Sequence, residues 1–325
     1  MASTTSPSPV ATSSVAPVTR AFFSGAVAGM VADSMLHPLD TINLRMKVQT
    51  VQTKEYSGIL RSAMTIVRNE GIRGCFGGLS TTMMCSPVCA SIYFGTYETL
   101  KSLALPHVSE KNNGVVYFLS GACSEALIST ISVPAEVIKS RLQLGRNPYL
   151  ASGGAIPRKH NYKGTFHALS TILRSEGVLG LYTGYSACLS VDTLFSAFSF
   201  LCYETLKHTY KGYIHKTEQH ERPLTTAESL VMGSLAGGAS AFITNPLDVM
   251  TVRIMTQGKS GRYNGLVDCF MKTVGEEGVL ALWKGASCRM TAIMPQVGIC
   301  FGVYETIKQW FFDGELDDFD FDDLS

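Results

Sequence analysis

The stretch "HPLDTINLR", His37 to Arg45, sets a proline, an acid and an arginine between long apolar runs. A proline inside a helix removes a hydrogen bond and bends the chain, at a cost of about 3 kcal/mol. The chain accepts that cost three times, because "VPAEVIKSR" (Val133 to Arg141) and "NPLDVMTVR" (Asn245 to Arg253) repeat the phrase. Pro38, Pro134 and Pro246 are each followed two residues later by an acid, Asp40, Glu136 and Asp248. Seven residues after each proline stands Arg45, Arg141 or Arg253. Other features recur in step: Tyr56-x-Gly58, Tyr162-x-Gly164 and Tyr263-x-Gly265, then Glu70-Gly71, Glu176-Gly177 and Glu277-Gly278. An aromatic-x-Gly element follows, ending at Gly78, Gly184 and Gly285, and "YETLK", "YETLK" and "YETIK" close at Lys101, Lys207 and Lys308. Recurrence in a fixed order marks a repeat architecture. The expected units are residues 18–104, 112–212 and 222–311, between a disordered 1–17 and an acidic, disordered 312–325.

Charged residues make up 16% of the chain, against about 25% in an ordinary soluble one. Gly74 to Tyr97 and Leu230 to Leu247 hold no charge at all. Ala21 to Leu39, Gly114 to Ala135 and Val178 to Tyr203 hold one each, and Met290 to Tyr304 lies just past Arg289. Apolar stretches of about 18 residues or more can cross a bilayer core. Two per repeat gives six expected spans, none uniformly apolar, as suits helices facing lipid on one side and water on the other. The segments 45–79, 139–176 and 253–284 carry 18 of the 27 Lys and Arg. Positive residues gather on one side of a membrane, so these segments are expected to share a compartment, with both termini opposite.

Residues 1–19 are rich in Ser, Thr, Pro and Ala with no charge before Arg20. They lack the Arg-rich pattern of a transit peptide and the cationic start of a signal peptide. In the second repeat, Gly and Pro near 144–161 mark a loop insertion. Nine cysteines, an odd number without pairing spacing, read as small buried apolar residues rather than a disulfide framework. No His-Glu-x-x-His, Gly-x-Ser-x-Gly or P-loop phrase is present, so no enzyme activity is expected.

Three Pro-x-(Asp/Glu) signatures, each followed by Glu-Gly and an aromatic-x-Gly element, resemble the mitochondrial carrier family over roughly residues 18–311. That resemblance implies an all-α membrane protein: a pseudo-threefold bundle of six tilted helices with three short surface helices on the matrix side. It implies solute transport by alternating access in the mitochondrial inner membrane, with both termini toward the intermembrane space. A small-molecule substrate, bound lipid such as cardiolipin, no other cofactor, no nucleic acid and a monomeric state go with it. The prolines would kink helices at one end of a cavity, where Asp40 would pair with Lys139, Glu136 with position 251 and Asp248 with position 43. Only the first of these has its base, since Thr251 and Asn43 occupy the other two positions. At the cytoplasmic end Glu98/Lys101, Glu204/Lys207 and Glu305/Lys308 keep all six charges, with Tyr97, Tyr203 and Tyr304 as braces. The matrix gate is therefore expected to be the weaker, tilting the empty protein toward its matrix-open state.

Helix contacts are expected at Gly25-x-x-x-Gly29 and Gly233-x-x-x-Gly237, where small residues let backbones approach. The matching phrase in the third span, "GACSE", puts Glu125 where the second glycine would stand. An ionisable residue within a span is a functional candidate, and the single charges Asp33, Glu125 and Asp192 are all acidic. Asp33 lies seven residues before Asp40 and Glu125 eleven before Glu136, offsets that return to nearly the same helix face. By resemblance the substrate contacts on the even spans are Cys85/Ser86, Val191/Asp192 and Ala292/Ile293, with Arg289 one turn from Ala292. An acidic cavity with few bases favours a positively charged solute. Within the family the chain is most similar to S-adenosylmethionine carriers, in Asp33, in Glu125 with the phrase from Val133 to Lys139, in Asp192 and in Arg289 to Ile293. Val191 stands where that subgroup would place an arginine. The rivals are a mitoferrin-like carrier of iron or another metal cation, drawing on His37 with Asp33 and on Cys85 with Cys89, and a carrier of another metabolite such as an amino acid. No resident metal site is expected.

Overall fold

Six long helices carry the repeated signatures. The computed structural model describes residues 15–49, 56–105, 108, 113–145, 162–218, 225–258 and 261–312. Each repeat is a long helix, a short helix, a 3₁₀ turn and a second long helix. The first repeat comprises α1 (Val15–Val48), α2 (Ile59–Glu70) and α3 (Leu79–Ala104). The second comprises α4 (Asn113–Gln143), α5 (Thr165–Glu176) and α6 (Tyr185–Glu218). The third comprises α7 (Thr226–Thr256), α8 (Leu266–Glu277) and α9 (Ala286–Phe312). Among the described residues there is no strand. Residues 15–17 already belong to α1, while 1–14, most of the insertion (146–161) and the acidic tail from 313 lie outside the described residues.

Pro38, Pro134 and Pro246 sit inside α1, α4 and α7, which continue through them. A capping box starts α7: Thr225 Oγ1 accepts from the Glu228 amide while the Glu228 carboxylate accepts from the Thr225 amide, satisfying two end groups at once. Among the described residues three stretches, Ile72–Ala104, Val178–Tyr210 and Thr226–Thr256, are long and apolar enough to cross a membrane.

The six long helices form a ring in the order α1, α3, α4, α6, α7, α9. The repeats interlock, for α3 packs along α4, α6 along α7 and α9 along α1. The apolar core lies at the end where the short helices sit. There Ile42, Met46 and Ile66 cluster in the first repeat, Ile138, Ile172 and Leu181 in the second, Met250, Ile254 and Leu282 in the third. Each short helix buries one face through equivalent pairs at i and i+4: Ser62 and Ile66, Ala168 and Ile172, Cys269 and Thr273. Its outer face stays apolar and exposed, with Leu60, Phe166 and Val267 at corresponding places.

The arginine seven residues after each proline ties the ring together. Arg45 grips Glu70 at 3.0 and 2.8 Å, Arg141 grips Glu176 at 2.7 and 2.9 Å, and Arg253 grips Glu277 at 2.6 and 2.9 Å. Each Nε then donates to a main-chain carbonyl of the next repeat: Gln143 at 2.9 Å, Met255 at 3.2 Å and, closing the circle, Lys47 at 3.0 Å. Two-bond carboxylate pairs of this kind fix direction as well as distance. Gly78, with φ of +82°, sits where an added Cβ would stand 2.9 Å from the Lys139 carbonyl oxygen, so only glycine lets α3 begin there.

The expected glycine contacts are corrected in part. An added Cβ at Gly25, Gly29 or Gly233 would meet nothing within 4 Å, so these are not close-approach points. Gly237 does face Ile293 of α9 at 3.2 Å, and its neighbour Gly238 faces Met294 at 3.0 Å. Of the four glycines expected at helix contacts, Gly237 alone makes a close one, in the middle of the third repeat.

Candidate functional site

The ring encloses a cavity of about 220 Å³ above the short-helix end. It is lined from α1, α4, α6, α7 and α9, while α3 contributes nothing at this level. Eight lining residues are ionisable at the extremes of charge. The acids are Asp33, Asp40, Glu136, Asp192 and Asp248, and the bases are Lys47, Lys139 and Arg289. Five formal negative charges against three positive leave the floor acidic. Low-dielectric walls focus that excess onto whatever enters.

The acids divide by partner. Asp40 meets Lys139 across the first two repeats at 3.4 Å, the geometry expected for that pair. Asp248 is bound twice, by Lys47 from α1 and by Arg289 Nε at 3.0 Å from α9. Asp33, Glu136 and Asp192 have no salt-bridge partner among the described residues. Asp33 accepts from Gln296 Nε2 at 3.2 Å. The Cys188 thiol lies 3.3 Å from Glu136 and 3.6 Å from Asp192 and has one hydrogen to offer the two.

Arg289 reaches further than its ion pair. Its Nη1 donates to the Ala241 carbonyl at 3.2 Å and to Thr244 Oγ1 at 3.0 Å, and its guanidinium lies over the Phe195 ring at 5.4 Å. Nη2 has no hydrogen-bond partner among the described residues. A planar fork with one arm unused is suited to a carboxylate.

Several expectations are corrected. Position 43 does not pair with Asp248: the Asn43 side-chain oxygen is buried without a partner, and Lys47 holds Asp248 instead. Thr251 does not pair with Glu136, since its hydroxyl donates back to the Leu247 carbonyl at 3.0 Å, the usual local bond of a threonine within a helix. Cys85, Ser86 and Glu125 do not line the cavity, whereas Val191, Ala292 and Ile293 do. Eleven helical residues place Glu125 about 16 Å along α4 from Glu136. There it lies within electrostatic reach of Cys89, Tyr93 and Asp192.

The network expected at the far end is described in part. At the far end Lys101 pairs with Glu98 at 3.3 Å and Lys207 with Glu204 at 3.5 Å, each within its own helix. The two lysines lie over Tyr97 and Tyr203 at 5.7 Å. The side chains of Tyr304, Glu305 and Lys308 lie outside the described ones. Among the described residues, ion pairs between repeats occur only at the short-helix end. A spacing of three residues on one helix permits this pairing along the helix as well as a network between helices.

His37 is turned away from the cavity. It is fully buried, bonds the Gly77 carbonyl through Nε2 at 2.9 Å and stacks on Phe76. Among the described residues no group of three His, Cys, Asp or Glu is arranged to hold a metal ion. Lys47, Cys188 and Gln296 were not singled out from the sequence. Their only signal is helical register, since Lys47 lies one turn past Asn43 and Cys188 one turn before Asp192.

The chain matches the family model described as mitochondrial carrier protein three times, over residues 14–107, 110–213 and 222–315. It is 32% identical to mitochondrial substrate carrier family protein E of Dictyostelium discoideum, over 89% of this chain and 95% of that one. It is 32% identical to S-adenosylmethionine carrier 1, chloroplastic/mitochondrial, of Arabidopsis thaliana, over 89% of this chain and 78% of that one. A mitochondrial adenine nucleotide transporter of Arabidopsis thaliana is 28% identical over 90% of this chain and 86% of its own length.

Proposed function

Because the chain belongs to the mitochondrial carrier family, and so is a membrane solute transporter and not an enzyme, we propose that it carries a cationic or zwitterionic solute, S-adenosylmethionine or a close analogue. The observation that carries this is the acidic floor, where Asp33, Glu136 and Asp192 face the cavity without a base while Arg289 keeps one arm open. S-adenosylmethionine has a sulfonium and an ammonium to neutralise such carboxylates, and a carboxylate to meet the guanidinium. Cation and carboxylate sites within one cavity select for a zwitterion, since a plain anion would be repelled and a plain cation would leave Arg289 unused. The likeness to a carrier of that name supports the same substrate. An adenine nucleotide would bring several negative charges against this floor, and a metal cation would find His37 bonded elsewhere.

In this account all six long helices span the mitochondrial inner membrane, with the short helices on the matrix side and both termini in the intermembrane space. The monomer works by alternating access, its outward-facing apolar residues against lipid. The floor bridges Asp40–Lys139 and Lys47–Asp248 hold the matrix side shut and part when the substrate passes. A ligand that binds the folded state raises its melting point by mass action. Purified protein is therefore expected to melt higher with S-adenosylmethionine than with adenine nucleotide or ferrous iron. Stabilisation by nucleotide or iron with none by S-adenosylmethionine would overturn the substrate.

A further inference from the structure

The floor of the cavity has a layer below the acids. Lys47, Gln143 and Met255 lie nine residues after Pro38, Pro134 and Pro246, and all three line the cavity. Their main-chain carbonyls are the three that accept from Arg253, Arg45 and Arg141. One equivalent position thus carries a base in the first repeat, an amide in the second and a thioether in the third. Gln143 lies 3.4 Å from Thr41 Oγ1 and 3.5 Å from the His37 ring. Met255 packs with Val133 and Val137. Only Lys47 is engaged by a charge across the repeats.

Asn43 could not do this work. Its side-chain oxygen lies against Gly285, where an added Cβ would come within 2.6 Å of it. The side chain lies against the residue before α9 and makes no hydrogen bond to Asp248 among the described residues. Lys47 begins one turn lower, about 6 Å nearer the short helices, and extends to the carboxylate from beneath. The Lys47 side chain is 2% exposed, against 25% for Lys139 in the other bridge. The first repeat therefore holds both partners, Asp40 to the second and Lys47 to the third. No ion pair joins the second repeat to the third at this floor among the described residues.

We propose that Lys47 is the gating base of the third repeat's acid, so that the Lys47–Asp248 pair, one turn below the position that should hold it, is what keeps the floor shut between the first and third repeats. Arg289 holds Asp248 from the same repeat and does not cross the seam. The desolvated pair is costly to break by removing one member, which makes Lys47 the residue whose loss opens the floor. The proposal rests on the alternating-access reading above but not on the substrate, so a failed substrate assay leaves it standing.

The test is access from the short-helix side. Thr251→Cys places a thiol on the cavity floor, in full-length protein whose native cysteines are replaced by serine, reconstituted in vesicles. A membrane-impermeant maleimide is supplied from the short-helix side. Slow labelling is expected with Lys47 or with Lys47→Arg, and labelling faster by about tenfold or more with Lys47→Met, as the loss of one partner of a buried pair requires. Asp248→Asn should act alike, the exchange Lys47→Asp with Asp248→Lys should slow labelling again, and Asn43→Ala should change little. Lys47→Gln, the residue found at the equivalent Gln143, serves if Lys47→Met does not fold. Labelling as slow in Lys47→Met or Lys47→Gln as in the parent would overturn the proposal, as would opening by Asn43→Ala alone.

Discussion

Arg253 and Glu277 meet through two bonds of 2.6 and 2.9 Å, with side chains 2% and 3% exposed. The same guanidinium donates to the main-chain carbonyls of Lys47 and Gln49 in the first repeat. One side chain thus joins the end of α7, the end of α8 and the end of α1. Removing one member of a buried pair strands the other charge and typically costs about 3–5 kcal/mol. Lys284 stays beside Glu277 at 2.5 Å, so Arg253→Ala should fall near 3 kcal/mol, the low end of that range. Arg253→Lys should recover only part, because an ammonium cannot make both parallel bonds. Unfolding of the detergent-purified protein measures this, and a change within about 0.5 kcal/mol, the range of ordinary surface substitutions, would contradict it.

The same pair sets an acid limit on stability. Burial disfavours the charged form of Glu277, but hydrogen bonds and charge from Arg253 and Lys284 outweigh it and hold the carboxyl below the usual glutamate range. A folded value below the unfolded one means the contribution is complete above the unfolded pKa of about 4.3 and is lost as pH falls through the folded value. Melting temperature should therefore decline below about pH 5, and Glu277→Gln should flatten that decline while lowering stability at neutral pH. An acid arm unchanged by Glu277→Gln would remove this group from the account.

Gly78 separates two costs that glycine can conceal. Its φ of +82° and the Lys139 carbonyl oxygen 2.9 Å from an added Cβ both oppose alanine. Left-handed backbone costs a non-glycine residue about 1–2 kcal/mol, and a helix carbonyl cannot yield as a flexible side chain would. Gly78→Ala should thus destabilise by about 2 kcal/mol or more. Gly95→Ala, in the middle of α3 with nothing within 4 Å, should be neutral or stabilising by about 0.5–1 kcal/mol. Equal effects at the two sites would show that the close approach at Gly78 does not matter.

Much of the architecture was legible because it is written three times. A proline, an acid and an arginine at fixed spacing place three long helices, and Glu-Gly with aromatic-x-Gly places the turns between short and long ones. The pairing of Arg45 with Glu70, and its two counterparts, follows from positions already conspicuous in the sequence, yet only folding shows that the chain between them returns to the helix end. The site was legible to the level of sign. Asp33 and Asp192 do line the cavity, and the eleven-residue spacing already sets Glu125 well above Glu136, but spacing along one helix could not reveal that α3 stays clear of the floor. The partner of Asp248 escaped because Asn43 and Lys47 share a helix face one turn apart, and a four-carbon stem can reach across a turn. Glu98 with Lys101 stays ambiguous for the opposite reason, since a spacing that fits a network between helices also fits the pair within one helix described here.

Arg289 should read the carboxylate of the substrate. A hydrogen bond to a charged group is worth about 1.5–3 kcal/mol, so Arg289→Gln should weaken S-adenosylmethionine binding about tenfold or more. Decarboxylated S-adenosylmethionine, which lacks the matching group, should lose far less. Titration of both ligands against both proteins decides it, and equal losses would assign Arg289 to the fold alone.

Uptake of labelled S-adenosylmethionine by reconstituted vesicles tests the acidic-cavity carrier most directly. The account predicts saturable, protein-dependent uptake that falls steeply in Asp33→Asn and in Asp192→Asn while both proteins still melt cooperatively. Vesicles that accumulate no more than protein-free ones, or uptake indifferent to both substitutions, would contradict it.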